Sequence, residues 1–253
     1  MVARGRLSAG AFRLEAIEPL HDWPAFERLL ATPGPWIGGF DFPFGLPRAA
    51  VRDLGWPDEW DALVRHCATL GRAALRAALD AYRATRPVGD KYPHRATDLP
   101  AASHSPLKLV NPPVALMFLE GAPRLAAAGV SIPTLRRGDP QRVAVEAYPG
   151  LAARAITRAS YKSDEARKQT PARRAVRTAI VRALRRAGGP LGFRVEGDRA
   201  LLRALVDDGS GDRLDAVLAA LQAAWSWRRR ARNFGLPRDV DPLEGWIATA
   251  RVG

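Results

Sequence analysis

The sequence predicts an α/β layer fold, because short β-rich runs alternate with longer stretches of helical periodicity along the chain. Its 253 residues, 47% of them hydrophobic, suit a domain with a sizeable buried core. Neither an internal repeat nor a linker of distinctive composition divides the chain. We therefore expect a single domain that spans residues 1–253.

Four β-rich runs are predicted to be strands, and the first two form a hairpin around the turn at Ser8–Gly10. The third run carries no polar face before Asp41, which is typical of a strand covered on both sides. The fourth ends close to Glu146. The predicted strands are Val2–Leu7, Ala11–Ile17, Trp36–Phe42 and Arg142–Ala147.

Helical periodicity predicts most of the remaining elements. Asp22 is the expected N-cap of the first helix, which has Pro24 in its first turn. A glycine turn near Ser210 opens a long apolar helix, and the chain then ends in a loop with an edge strand. The helices predicted before that long one are Trp23–Leu30, Asp58–Arg83, Val114–Phe118, Pro123–Ala127, Glu165–Arg186 and Asp198–Val206.

Residues 86–113 form a long irregular insertion that proline interrupts repeatedly. A segment of this length without regular structure is typical of a functional loop or of disorder. Lys91, Arg95 and Lys108 lie within it, and these basic side chains favour a functional role in contacting phosphate.

The charge of the chain predicts a polyanionic partner. The net charge is +13 and the pI is near 11.1, which favours nucleic acid. A generally solvated basic surface is the alternative. All but four of the 39 basic residues are arginine, and that preference is typical of GC-rich coding.

Cysteine usage and hydropathy narrow the class of protein. Cys67 is the single cysteine, which excludes an internal disulfide framework and a cysteine-based zinc cluster. The longest apolar run, Val114–Leu119, is too short to cross a bilayer, and the N-terminal residues lack an apolar run of signal-peptide length. We expect a soluble cytoplasmic protein with no membrane partner.

Acidic residues occur where predicted elements begin or end. Asp41 and Glu146 lie at the ends of two strands, and Asp212 and Asp215 open the long helix at positions i and i+3. Functional groups of open α/β sheets gather at the carboxyl ends of strands. These four carboxylates are therefore expected to share one pocket.

Carboxylates in one pocket repel each other unless they are protonated or bridged by cations. Hard oxygen ligands suit Mg²⁺ or Mn²⁺, and a pair of such ions is the usual arrangement for phosphodiester cleavage. The sequence contains no P-loop, no G-x-S-x-G motif and no H-E-x-x-H motif that would indicate a different chemistry.

Each carboxylate also has a structural interpretation. Asp41 would cap the turn before Pro43, and Glu146 would pair with a nearby arginine. Asp212 and Asp215 also fit a capping box, with Asp212 or Ser210 as the N-cap and an acid three residues on. Asp215 also adjoins the apolar face of its helix, where an unpaired carboxylate is costly, so a site role is favoured for it.

Several motifs in order resemble the DUF429 family, a set of uncharacterised prokaryotic proteins predicted to be nucleases with an RNase H-like fold. The resemblance runs from about Trp36 to Trp246. The motifs that carry it are "GFDFPFGLPR", "RATDLPAASHSPLKLVNPP", "VEAYPGL", "SYKSDEARKQTPARRA" and "GDRLDAVLAAL".

The resemblance implies an RNase H-like mixed sheet flanked by helices, with metal-binding acids at strand ends and on a late helix. It assigns catalysis to Asp41, Glu146 and Asp215, with Asp212 as a further metal ligand. Lys162 and Lys168 lie in the matching "SYKS…RK" segment. Together with Arg173 they join Lys91, Arg95 and Lys108 as expected phosphate contacts.

One departure from the family pattern concerns the first strand. An RNase H-like sheet begins with a strand that carries an aspartate, whereas the first aspartate here is Asp22, after both N-terminal strands. We therefore expect that the N-terminal strand is truncated. Either the start site lies too far downstream or this metal ligand is absent.

Three functions remain open on these grounds. The first is a nuclease that depends on Mg²⁺ or Mn²⁺ and cleaves the phosphodiester bonds of nucleic acid. The second is a nucleic-acid-binding module of the same fold that is catalytically incomplete. The third is a nucleotide phosphohydrolase or phosphotransferase, although no glycine-rich phosphate loop supports it.

Overall fold

The computed structural model describes residues 1–251, and within that range six strands form two three-stranded sheets. The first sheet has the order β1 (Val2–Leu7), β2 (Ala11–Glu18), β6 (Arg194–Glu196). The second has the order β3 (Trp36–Phe40), β5 (Asp139–Glu146), β4 (Val130–Ser131). β1 and β2 are antiparallel and the other pairs are parallel, which confirms a mixed α/β fold and the N-terminal hairpin.

Helices surround both sheets. In chain order they are α1 (Trp23–Leu30), α2 (Arg48–Asp53), α3 (Trp60–Ala84), α4 (Asp98–Ala101), α5 (Val114–Ala127), α6 (Pro149–Arg154), α7 (Pro171–Leu184), α8 (Arg199–Asp207) and α9 (Asp212–Arg228). Single 3-10 turns cover Ala166–Lys168 and Arg230–Gly235. As predicted, the Asp22 side chain caps α1, accepting a hydrogen bond from the amide of Ala25 at 2.7 Å.

Two helix predictions were wrong at their boundaries. The short helices predicted at 114–118 and 123–127 are one helix, α5, with Pro123 inside it. Buried Phe118 and Leu125 hold both halves against the same core, which offsets the hydrogen bond that proline cannot donate. The basic helix predicted from Glu165 begins only at Pro171, because the Thr170 side chain caps it there by accepting from the amide of Arg173.

The apolar core has two main parts, one for each sheet. Trp60, Phe118 and Leu125 belong to the part in which α3 and α5 cover the second sheet. Phe12, Ile180 and Leu218 belong to the part in which α7 and α9 cover the first sheet. α9 packs against both β1 and β3 and therefore joins the two halves.

β1 and β3 each have one edge that pairs with no strand among residues 1–251. Every residue of β3 is only half-buried, so the prediction that this strand is covered on both sides was wrong. The unpaired edge of β3 and the unpaired edge of β1 both line one open groove. β3 is therefore partly exposed along this edge.

The last part of the described chain lies across the end of β5. Where an edge strand was predicted, only an isolated parallel bridge forms, between Glu146 and Ile247. Gln222 fixes this segment, because its side chain accepts from the amide of Tyr148 at 2.9 Å and donates to the carbonyl of Ala248 at 2.8 Å. Among residues 1–251, no helix is both long enough and apolar enough to cross a membrane.

Candidate functional site

A groove of about 1440 Å³ lies between β1 and β3 and contains most of the predicted acidic residues. Small side chains of α9 form its floor, among them Ala216, Ala220 and Ala224. The groove has an acidic end near the start of α9, and Trp227 lines it near the end of that helix. The lining residues at the acidic end are Asp41, Lys162, Asp212 and Asp215.

Asp41 reaches this end because β3 lies directly on α9. A Cβ atom at Gly39 would come within 2.3 Å of the carbonyl oxygen of Ala219, so only glycine permits this approach. β3 ends at Phe40, and Asp41 follows it at the first turns of α9. The position predicted for Asp41, at the end of a strand and facing other carboxylates, is therefore the position observed.

Asp215 is buried in the first turn of α9, where two neighbours bind its carboxylate. The Tyr161 hydroxyl donates to Oδ1 at 2.6 Å, and the Lys162 ammonium forms an ion pair with Oδ2. Gly211 makes room for the lysine: its φ is +80°, and an added Cβ would lie 2.7 Å from the Cβ of Lys162. These contacts hold Asp215 in place beside Asp41.

The carboxylates at this end affect each other's protonation. Asp41 is exposed to the solvent that fills the open groove, but it has protein on several sides. Desolvation by these walls and the charge of Asp215 raise its pKa to about 7. Burial also raises the pKa of Asp215, although Lys162 and Tyr161 oppose that shift. Burial lowers the pKa of Lys162, but the neighbouring carboxylates outweigh it and the net shift is upward.

Asp212 lies in the groove but does not cap its helix. It is exposed at the first position of α9, and Gly211 is the N-cap residue. The predicted cap is provided instead by Asp208, whose carboxylate accepts from the amide of Arg213 at 2.9 Å and from the Ser210 hydroxyl at 2.7 Å. Asp212 is close enough to raise the pKa of both Lys162 and Asp215.

Glu146 is at the end of β5 as predicted, but its oxygens are bound by other groups. Oε2 accepts from the amide of Phe44 at 2.9 Å and from Nη1 of Arg95 at 2.8 Å, and Oε1 accepts from Nη2 of Arg95 at 2.7 Å. Burial raises the pKa of Glu146; Arg95 opposes this shift without cancelling it, so the net change is upward. This is the ion pair that was the structural alternative for Glu146.

Arg95 is 2% exposed and is not a surface phosphate contact. Its remaining hydrogen bonds go to the carboxylate of Asp98 and to the carbonyl of Glu244 at 3.1 Å. All five N–H donors of the guanidinium are thereby engaged. Arg95 therefore ties the irregular insertion to β5 and to the C-terminal segment, which is a structural role.

The other predicted phosphate contacts lie apart from the acidic end of the groove. Lys91 is exposed, and the Lys108 ammonium donates to the carbonyl of Asn111 at 2.6 Å. Lys168 forms an ion pair with Glu165, and Arg173 donates to the carbonyl of Lys168 at 2.5 Å. Of the six predicted contacts, Lys162 alone lines the groove.

The basic helix α7 also has a structural role that the sequence did not predict. Arg177 is 3% exposed, and it donates to the carbonyls of Val206 and Tyr161 at 2.7 Å each. It thus holds Tyr161, which in turn binds Asp215. Tyr161 was missed as a site residue, although its place beside Lys162 in "SYKS" was a signal for it.

The donor set does not complete a metal site by itself. Among residues 1–251, no group of three or more histidine, cysteine, aspartate or glutamate side chains is placed so as to hold a metal ion. Both oxygens of Asp215 have partners, and Glu146 is bound to Arg95. Asp41 and Asp212 are the carboxylates at this end with no hydrogen-bond donor among the described residues.

The chain belongs to the DUF429 family, as the motifs indicated. The family model, described as "Protein of unknown function (DUF429)", matches residues 1–239. No curated protein and no solved structure gives a significant match to the chain. The family description names no activity, so function has to be inferred from the geometry of the groove.

Proposed function

We propose that this member of the DUF429 family is a nuclease-like protein that acts on phosphodiester bonds of nucleic acid at the acidic end of the groove. The observation that carries the proposal is the meeting of Asp41 and Asp215, which come from distant parts of the chain and repel each other there. Such charge-coupled carboxylates in a cleft are typical of catalytic sites.

The same proposal includes an RNase H-like fold. β1 and β3 present unpaired edges to one groove, and a strand lying in that groove would join the two sheets into one. A single mixed sheet of this kind is what an RNase H-like fold would have.

The proposed function includes a divalent cation bound at the acidic end of the groove. Mg²⁺ or Mn²⁺ would relieve the repulsion between Asp41 and Asp215, and it would supply Lewis-acid stabilisation to a phosphodiester. The described residues do not complete its coordination. Water and the phosphate oxygens of the substrate would supply the remaining ligands.

The roles of the protein side chains follow from their contacts. Asp41, with a pKa of about 7, is able to take up or release a proton near neutral pH. Lys162 places a positive charge beside both carboxylates, where it also attracts a phosphate. Tyr161 orients Asp215 through its hydrogen bond. Cytoplasm is the proposed location, where the thiol of Cys67 stays reduced.

The test is cleavage of labelled single-stranded and double-stranded DNA and RNA with Mg²⁺ or Mn²⁺ added. Asp41→Asn and Asp215→Asn are expected to abolish cleavage. Asp239→Asn, at an exposed position outside the groove lining, is the matched control and is expected to retain it. Cleavage that survives Asp215→Asn, with the variant still folded, would exclude the assigned site.

A catalytically incomplete nucleic-acid-binding module is the second candidate. The incomplete donor set and the capture of Glu146 by Arg95 favour it. It predicts salt-dependent binding of nucleic acid with no turnover under any divalent cation. Turnover that requires Asp41 would rule it out.

A further inference from the structure

Four arginines lie close together where α9 ends, beyond the part of the groove already described. Arg228, Arg229, Arg230 and Arg232, here called the arginine cluster, are all exposed. They follow Trp227, which lines the groove at the end opposite to Asp215. None of the four belongs to the phosphate contacts that the sequence predicted.

The arginine cluster has no acidic partner in the described part of the chain. Among residues 1–251, no carboxylate oxygen lies within 4 Å of its guanidinium groups. Their hydrogen bonds go to backbone carbonyls, such as that from Arg230 to Trp227 at 3.1 Å. Burial, together with the charges of Arg228 and Arg232, lowers the pKa of Arg229.

Aromatic rings hold three of these side chains in place. Arg229 lies 4.0 Å above the ring of Trp225 and Arg230 lies 4.7 Å above Trp227. Arg228 lies 5.2 Å from the ring of Phe193. Each stacked guanidinium uses Nη1 for a backbone carbonyl and has further N–H groups for an anion, and it loses little freedom when the anion binds, so the site is preorganised.

One explanation is that these cations merely complement the end of a helix. Positive side chains do stabilise the C-terminus of a helix, and Arg228 or Arg229 alone would serve that purpose. Four arginines within five positions repel each other, which costs stability unless an anion is bound. The cluster therefore exceeds what the helix end needs.

We propose that the arginine cluster is a binding site for the phosphate backbone of nucleic acid, which runs from there into the groove. The choice of nucleic acid as the ligand rests on the proposed function. The observation that the arginine cluster lacks an acidic partner among residues 1–251 is independent of it. Arginine in a fixed planar orientation suits bidentate contact with phosphate. An anionic lipid surface fits less well, because none of the exposed large hydrophobic side chains lies in the segment 225–235.

The length of α9 sets the span of this contact. Asp215 and Arg228 are thirteen positions apart on one helix, which at about 1.5 Å per residue is roughly 20 Å. A strand with the stacked rise of about 3.4 Å per nucleotide covers this distance with roughly six nucleotides, and an extended strand covers it with fewer. A dinucleotide is too short to contact both ends of the groove at once, whether its backbone is stacked or extended.

The test is fluorescence anisotropy of labelled oligothymidylate and oligouridylate of two and twelve nucleotides, at several NaCl concentrations and without divalent cations. The Arg229→Gln/Arg230→Gln variant is compared with Arg65→Gln/Arg72→Gln, which removes the same charge from exposed positions on α3. For twelve nucleotides, the slope of log K against log [NaCl] is expected to fall by about 0.7 for each lost phosphate contact, about 1.4 for the cluster variant. The control variant is expected to keep the wild-type slope.

Equal slopes for the two variants would overturn the proposal, as would equal affinity for two and twelve nucleotides. Binding of vesicles of anionic phospholipid in preference to oligonucleotides, lost in the cluster variant, would also contradict it. Thermal unfolding of every variant shows whether loss of folding explains a change in binding. An Arg229→Lys/Arg230→Lys variant keeps the charge and is expected to keep the salt slope of the wild type. The assay measures binding without divalent cations and not cleavage, so failure of the nuclease proposal leaves this one separately testable.

Discussion

Replacing Arg95 by methionine removes the cation that holds Asp98 and Glu146 inside the protein. The side chains of these acids are 0% and 4% exposed, and that of Arg95 is 2% exposed. Removing one partner of a buried ion pair leaves a buried charge without compensation, which costs about 3–5 kcal/mol. We expect Arg95→Met to lower the free energy of unfolding by about 4 kcal/mol, a large part of a typical total of about 5–15 kcal/mol.

The measurement is urea denaturation at pH 7 with linear extrapolation to water, and with the slope of the fit compared between variants. Arg174→Met is the matched control, because Arg174 pairs with Asp207 at the surface, where the side chains are 56% and 48% exposed. That change is expected to cost at most about 1 kcal/mol. Lowering the pH should partly restore Arg95→Met, because Glu146, whose pKa is already raised, then becomes neutral.

A result for Arg95→Met within about 1 kcal/mol of wild type would refute this reasoning, since a buried charge without a partner is costlier than that. It would mean that Glu146 is solvated or protonated in the folded protein. Glu146 would then again be available as a ligand at the end of β5.

Three further outcomes follow from the groove. Gly39→Ala places a Cβ 2.3 Å from the carbonyl of Ala219, so we expect it to cost about 1–3 kcal/mol in urea denaturation, whereas Gly10→Ala, with nothing within 4 Å, stays close to wild type. Folding raises the pKa of Asp41 from 3.8 to about 7, so the folded chain holds a proton that the unfolded chain has released. The free energy of unfolding should therefore fall as the pH rises through that window, and Asp41→Asn should flatten this part of the curve. Lys162→Met removes the ion-pair partner of Asp215 and should raise the pKa of that carboxyl, as followed by carbon-13 NMR.

Much of the fold could be predicted from local patterns. Alternating and helical hydrophobic periods placed the hairpin, α1 and the long α9 close to their observed bounds, since short-range chemistry determines such elements. The two parts of α5 could not be joined from sequence, because buried contacts of Phe118 and Leu125 overrule the break that Pro123 predicts. The partial exposure of β3 along the groove could not be predicted either, because it depends on tertiary packing.

The position of a site residue could be predicted where it depends only on the strand or helix that carries that residue. Asp41 follows a strand end and Asp215 lies in the first turn of a helix, and both reach the groove. Glu146 has the same local signature, but Arg95, fifty-one residues away in sequence, binds it. A pairing over that separation leaves no local pattern, and neither does the contact between Tyr161 and Asp215.

The convergence of Asp41 and Asp215 in one groove is the central claim, and titration of the Asp41 side-chain carboxyl by carbon-13 NMR tests it most directly. We predict a pKa of about 7 in the wild-type protein and a lower value in Asp215→Asn, because that change removes a neighbouring negative charge. An Asp41 pKa near the ordinary 3.8 that Asp215→Asn leaves unchanged would contradict the claim.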